Sequence, residues 1–132
     1  FKHMDSFVNN ISLRALQLDS LKSSHPISVP IYKAQDVDEV FDAISYNKGC
    51  AVVRMFWEYM GNEQFMQGLR NYFQIYKYGN ATKTELFQQW DKSTGDNISV
   101  KLGDWINQTG YPILEVKSSR TLSDSVVLDV NQ

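Results

Sequence analysis

A chain of 132 residues suffices for one domain of average size and is too short for two that each bury a sizeable core. Its 42% apolar, 21% charged and 13% aromatic residues are a globular composition, far from that of a disordered, collagen-like or membrane-spanning chain. With 13 basic and 15 acidic residues the formal charge is −2, so there is no overall pull toward nucleic acid or anionic lipid.

Residue counts narrow the chemistry further. His3 and His25 lie 22 positions apart with no neighbouring cysteine, so no local zinc motif such as H-E-x-x-H can be built from them. Cys50 is the single cysteine, which excludes an intramolecular disulfide and suits a reducing compartment. The apolar runs are too short for a membrane segment, and the N-terminus has no secretory-signal pattern. Against these stand four N-glycosylation patterns, at Asn10, Asn80, Asn97 and Asn107, two of them at expected helix N-caps, where such residues are favoured for their own reason.

In chain order, Met4, Phe7, Val8, Ile11, Ala15, Leu18 and Leu21 fall on one helical face, ending before Ser23-Ser24-His25-Pro26. Pro26 and Pro30 make the next stretch an extended crossing segment. Asp36 and Glu39 have capping-box spacing. From Tyr46 to Met60 one stripe carries Tyr46, Cys50, Val53, Trp57 and Met60 and another Val52, Phe56 and Tyr59, which predicts a helix in the middle of a domain with Cys50 as an inert core thiol.

Gly61 closes that helix and Asn62 is placed to cap the next, which holds Phe65, Met66, Leu69, Tyr72, Phe73 and Tyr76. Thr82 and Glu85 predict a capping box for a helix with Leu86, Phe87 and Trp90 inside and Gly95 after its end. Asn97 or Ser99 is expected to cap a last helix holding Val100, Trp105 and Ile106, stopped by Gly110 and Pro112. Then 113–116 and 125–130 read as two strands separated by the polar stretch 117–124. Two strands alone are only marginally stable, so the chain is expected to be a segment of a longer protein. Five consecutive helices also leave a helical-repeat solenoid open.

Composition and spacing alone yield no enzyme site. The seven glycines are dispersed and mostly punctuate helices, and neither histidine comes with a nucleophile's partner motif. Asp36 and Asp38 stand one residue apart in a capping region, where a metal or glycosidase role has no support. On the same footing Tyr46 is the first aromatic of a helix stripe, and Phe41 packs a short helix.

Four motifs change this reading: Ala15-Leu16-Gln17-Leu18-Asp19-Ser20-Leu21-Lys22-Ser23-Ser24-His25-Pro26-Ile27, Phe41-Asp42-Ala43-Ile44-Ser45-Tyr46-Asn47-Lys48-Gly49, Lys77-Tyr78-Gly79-Asn80-Ala81-Thr82, and Trp105 through Gln108 with Gly110-Tyr111-Pro112. In this order, and over nearly the whole chain, the sequence resembles the zinc aminopeptidases related to aminopeptidase N and puromycin-sensitive aminopeptidase. The resemblance implies a mainly α fold, the helical half of a thermolysin-like catalytic domain with five to six helices. Residues 1–110 would form that part, and 111–132 the start of a following β-sandwich.

The function implied is that of a fragment of a zinc metallo-aminopeptidase, which hydrolyses N-terminal residues from peptides with metal-activated water. The Ser-Tyr-x-Lys-Gly motif places the family's catalytic tyrosine at Tyr46: a phenol with a pKa of about 10 stays protonated at neutral pH and can donate to a developing oxyanion. Phe41 is the implied substrate-binding residue, lining the pocket for the substrate's first side chain, and His25 is read as structural, satisfying backbone groups.

The family's H-E-x-x-H, its downstream glutamate ligand and its Gly-x-Met-Glu-Asn segment are absent. The zinc ligands are therefore expected outside this chain, which alone should be inactive and whose implied partners are peptide substrates and the rest of the parent catalytic domain. The motif wording favours a cytoplasmic enzyme, while the four glycosylation patterns suit a surface or secreted one. The competing reading is a non-catalytic helical interaction module resembling that family.

Overall fold

The computed structural model describes residues 2–132, the side chains of Lys2, His3 and Glu39 lying outside that description. The first helical stretch runs through α1 (Lys2–Phe7), a π-helical turn (Val8–Ser12) and α2 (Leu13–Asp19). An extended segment leads to the four-residue α3 (Asp36–Glu39). A second π turn (Ile44–Lys48) opens α4 (Gly49–Met60), and α5 (Asn62–Tyr76), α6 (Lys83–Thr94) and α7 (Ile98–Ile106) follow. Two antiparallel strands, β1 (Glu115–Thr121) and β2 (Val126–Asn131), close the chain. The fold is mainly α with a terminal β ribbon, as the sequence predicts.

The core lies between α4, α5, α6 and α7. Val52, Phe56 and Met60 of α4 meet Phe65 of α5, Trp90 of α6, and Ile98, Leu102 and Ile106 of α7. Burying side chains of this size gains roughly 1.5–3 kcal/mol each by their removal from water. Trp90 is the hub: its ring stacks on Phe65 with centroids 5.0 Å apart and its indole N–H donates to the Phe65 carbonyl at 3.1 Å, so its one polar atom is satisfied on burial. The glycine at 68 serves this contact rather than punctuating a helix, because a Cβ there would overlap the Trp90 ring.

Local signals explain most boundaries. Thr82 and Glu85 form the expected reciprocal capping box, and Gly95 ends α6 in the left-handed conformation with φ 72°. The start of α7 differs from expectation. Neither Asn97 nor Ser99 caps it through its side chain; the Asp91 carboxylate, on α6, accepts from the Ser99 N–H at 2.8 Å. The cap is tertiary, which local sequence does not encode.

Other expectations are corrected. Asp36 does not cap α3: its carboxylate accepts from the N–H groups of Tyr32 and Lys33, tying down the preceding loop, and Glu39 lies outside the described side chains. Gly61, not Asn62, occupies the N-cap position of α5, while Asn62 accepts from the Trp57 indole at 3.2 Å. Only the Val52, Phe56 and Met60 face of α4 is buried. Cys50, Val53 and Tyr59 are exposed, so Cys50 is not a core thiol. β1 runs on through residues assigned to the polar connection, because backbone pairing with β2 holds them whatever their side chains, with a bulge between Val116 and Ser118.

Gly68→Ala should lower stability by about 1–3 kcal/mol through overpacking against Trp90. Denaturant unfolding of the variant measures it, and a neutral result would mean that α5 and α6 are less closely apposed than this.

Candidate functional site

Tyr46 sits in the second π turn, whose 5-residue bond runs from the Gly49 N–H to the Ile44 carbonyl. The turn is fastened at both ends. At its start the Asp42 Oδ1 accepts from the N–H groups of Ile44 at 2.9 Å and Ser45 at 3.0 Å, satisfying donors that a helix start leaves open. The other oxygen of Asp42 accepts from His25 Nε2 at 2.9 Å, and His25 Nδ1 lies 2.8 Å from the Pro26 carbonyl.

A carbonyl and an ionised carboxylate can only accept, so this geometry favours protons on both ring nitrogens, the imidazolium form of His25. The Pro26 carbonyl first, then Asp42 and the more distant Asp19 charge, raise its pKa against the opposing effect of burial. Burial pushes the Asp42 carboxyl up, but bonds from the Ser45 N–H, His25 and the Ile44 N–H hold it below its ordinary value.

The far end of the turn is Lys48. Two positions from Tyr46 on a helical turn, it points to the opposite face, into the protein. Its side chain is 8% exposed and forms an ion pair at 2.8 Å with Asp19, itself 2% exposed. The ammonium also donates to the carbonyls of Gln108 at 3.0 Å and Gly110 at 3.1 Å, so its three protons meet three acceptors.

Asp19 accepts in addition from the Ser24 hydroxyl at 2.6 Å and the Gly110 N–H at 2.9 Å. Burial would raise its pKa, yet these bonds together with Lys48 hold it below the usual carboxylate range. Gly110, at φ 78°, turns both its N–H and its carbonyl onto the pair, a conformation a side chain would strain. Asp19, Lys48 and Gly110 come from three of the four sequence motifs, and no single motif encodes the knot they form.

Tyr46 and Phe41 come together. Their rings are tilted at 54° with centroids 5.8 Å apart, and they are 61% and 64% exposed. Phe41 lies two residues beyond the end of α3 and is largely exposed, so it is not a core residue of this chain. His25 satisfies a backbone group, as expected, and also pairs with Asp42, which the sequence reading did not anticipate.

Among the described residues no group of three His, Cys, Asp or Glu side chains could hold a metal ion. No helix among them is long and apolar enough to cross a membrane.

The family described as Peptidase family M1 domain matches residues 1–105. The chain belongs to the M1 peptidase family. The alanine/arginine aminopeptidase of Saccharomyces cerevisiae is 38% identical over 120 residues, 91% of this chain and 14% of that protein. Aminopeptidase 2, mitochondrial, of the same yeast is 37% identical over 116 residues, 88% of this chain and 12% of that protein. The thyrotropin-releasing hormone-degrading ectoenzyme of Rattus norvegicus is 34% identical over 127 residues, 92% of this chain and 12% of that protein. This M1 chain thus spans 12–14% of the length of these relatives, whose names place one in mitochondria and call another an ectoenzyme.

Lys48→Met strands the Asp19 carboxylate without its cation and should cost about 3–5 kcal/mol of stability, much of it recovered by adding Asp19→Asn. Chemical denaturation of the single and double variants reads this out, and additive losses would contradict the pairing. For His25 the folded pKa is raised, so its stabilising contribution is complete below the ordinary imidazole value of 6.5 and is lost as pH rises through the folded value. An NMR titration of the ring should therefore place its midpoint above 6.5 in the folded protein; a midpoint below that value would contradict the imidazolium assignment.

Proposed function

We propose that this chain is the segment of a zinc metallo-aminopeptidase that supplies the tyrosine facing the oxyanion, Tyr46. In this reading the parent enzyme removes N-terminal residues from peptides, and residues 1–110 complete its catalytic domain while 111–132 open a β-sandwich. The zinc and its ligands reside in other parts of the parent, where the metal supplies an activated water, so the segment alone is inactive.

The observation that carries the reading is the placement of Tyr46 beside Phe41, both rings uncovered, on a turn fixed at both ends by buried or half-buried ion pairs. Among the described residues the Tyr46 hydroxyl forms no hydrogen bond, so it is free to donate to a substrate atom. A protonated phenol held in this way adds its hydrogen bond when negative charge develops on the carbonyl oxygen, which is the condition for lowering a barrier rather than merely binding substrate. Phe41, an apolar ring at contact distance from Tyr46, suits the wall of a pocket for the side chain next to the scissile bond. A purely non-catalytic helical module gives no reason for an exposed tyrosine on so firmly anchored a turn.

In the full-length enzyme, Tyr46→Phe should lower kcat by two to three orders of magnitude, about the 2.7–4 kcal/mol expected for one oxyanion donor, with zinc content unchanged. Steady-state kinetics with an aminoacyl chromogenic substrate and metal analysis test it, and a variant within threefold of the parent would sink the assignment.

A further inference from the structure

We infer that His25 and Asp42 are positioning residues for Tyr46, an inference that rests on the tyrosine's role proposed above. The chain of contacts is continuous. The Pro26 carbonyl fixes one nitrogen of the His25 ring at 2.8 Å, and the other nitrogen reaches Asp42 Oδ2 at 2.9 Å. The second oxygen of the same carboxylate then holds the N–H groups of Ile44 and Ser45 at 2.9 and 3.0 Å, and Tyr46 is the next residue. The Tyr46 N–H itself donates to the Asp42 carbonyl at 3.1 Å.

Both oxygens of Asp42 are thus committed, one to the extended segment and one to the turn, so its carboxylate plane sets the angle at which the turn leaves the segment. Without it, the first donors of the π turn face water and the start of the turn loses its side-chain acceptor, while the buried Ile44 and Lys48 and the half-buried Asn47 still hold the rest in place. The Tyr46 ring is 61% exposed, so its direction depends strongly on the backbone that carries it, and a displacement of about 1 Å at a reacting group is enough to cost up to a hundredfold in rate. His25 contributes by orienting Asp42. It touches no reacting atom.

Substitutions separate positioning from folding. Asp42→Ala removes both the turn-start acceptor and the partner of His25. Asp42→Asn keeps an oxygen over Ile44 and Ser45, and its amide can donate to a neutral His25 that still donates to Pro26. In the full-length enzyme Asp42→Ala and His25→Ala should each lower kcat roughly tenfold, with KM within about twofold, because the loss falls on the transition state. Asp42→Asn should recover most of the activity.

In a Tyr46→Phe background none of the three should change kcat by more than about twofold, since they act through the hydroxyl that is already gone. Zinc content and melting temperature are measured on every variant. Should Asp42→Ala fail to fold, His25→Ala carries the same comparison.

The inference is overturned if the losses persist at the same factor on the Tyr46→Phe background, if His25→Ala leaves kcat unchanged, or if Asp42→Asn is as impaired as Asp42→Ala. Failure of the underlying reading is distinct, because Tyr46→Phe would then leave kcat near that of the parent whatever the pair does.

Discussion

The buried pair of Asp19 and Lys48 is the constraint on which the arrangement depends. Removing a carboxylate and an ammonium from water costs several kcal/mol per ion, and their mutual attraction offsets this only when the remaining lone pairs and protons are also met. Here they are met by the Ser24 hydroxyl, the Gly110 N–H and the carbonyls of Gln108 and Gly110. These partners lie far apart in sequence. The pair therefore forms only when the end of α2, the entry to α4 and the loop after α7 are all in place, and a displacement of any one leaves a charge unsatisfied. Through Lys48, the turn that presents Tyr46 is tied to all three.

Polar anchoring of this kind complements an apolar core that sits elsewhere. The Trp90-centred cluster unites α4 to α7, whereas the first helical stretch and the segment after it are held by Asp19, Ser24, His25 and Asp42. At that end Ala15 and Ile44 are also buried and Ile27 packs on the core, so directional bonds add to apolar contact there. Directional bonds fix orientation more sharply than apolar contacts do, and the turn bearing Tyr46 is held by them at both ends.

Much of this was legible in the sequence. The Thr82 and Glu85 box and the Gly95 terminus are local signals and appear where expected, while of the α5 stripe only Phe65 is buried and Phe73 is exposed. The four motifs carried the family, and the rings of Tyr46 and Phe41, the two residues they single out, lie beside each other. What could not be read was decided across long separations. Asp91 caps α7 from α6, Gly68 is small because Trp90 arrives from another helix, and Lys48 looks like a surface residue until Asp19 and Gly110 are brought to it. Cys50 and Val53 are exposed despite lying on an apolar stripe, because such a stripe shows only that a surface can be covered, not whether this chain covers it.

The two π turns carry a consequence of another sort. Each holds one more residue than an α-helical turn would, and they face one another: the Asn47 amide of the second donates to the carbonyls of Asn10 at 3.1 Å and Ile11 at 3.5 Å in the first. Because an α-helix advances by about 100° per residue, the compass bearing of Tyr46 relative to Lys48 and Asn47 is fixed by counting, not by chemistry. Losing or gaining one residue between Asp42 and Gly49 would therefore swing the hydroxyl away even if every motif residue were kept.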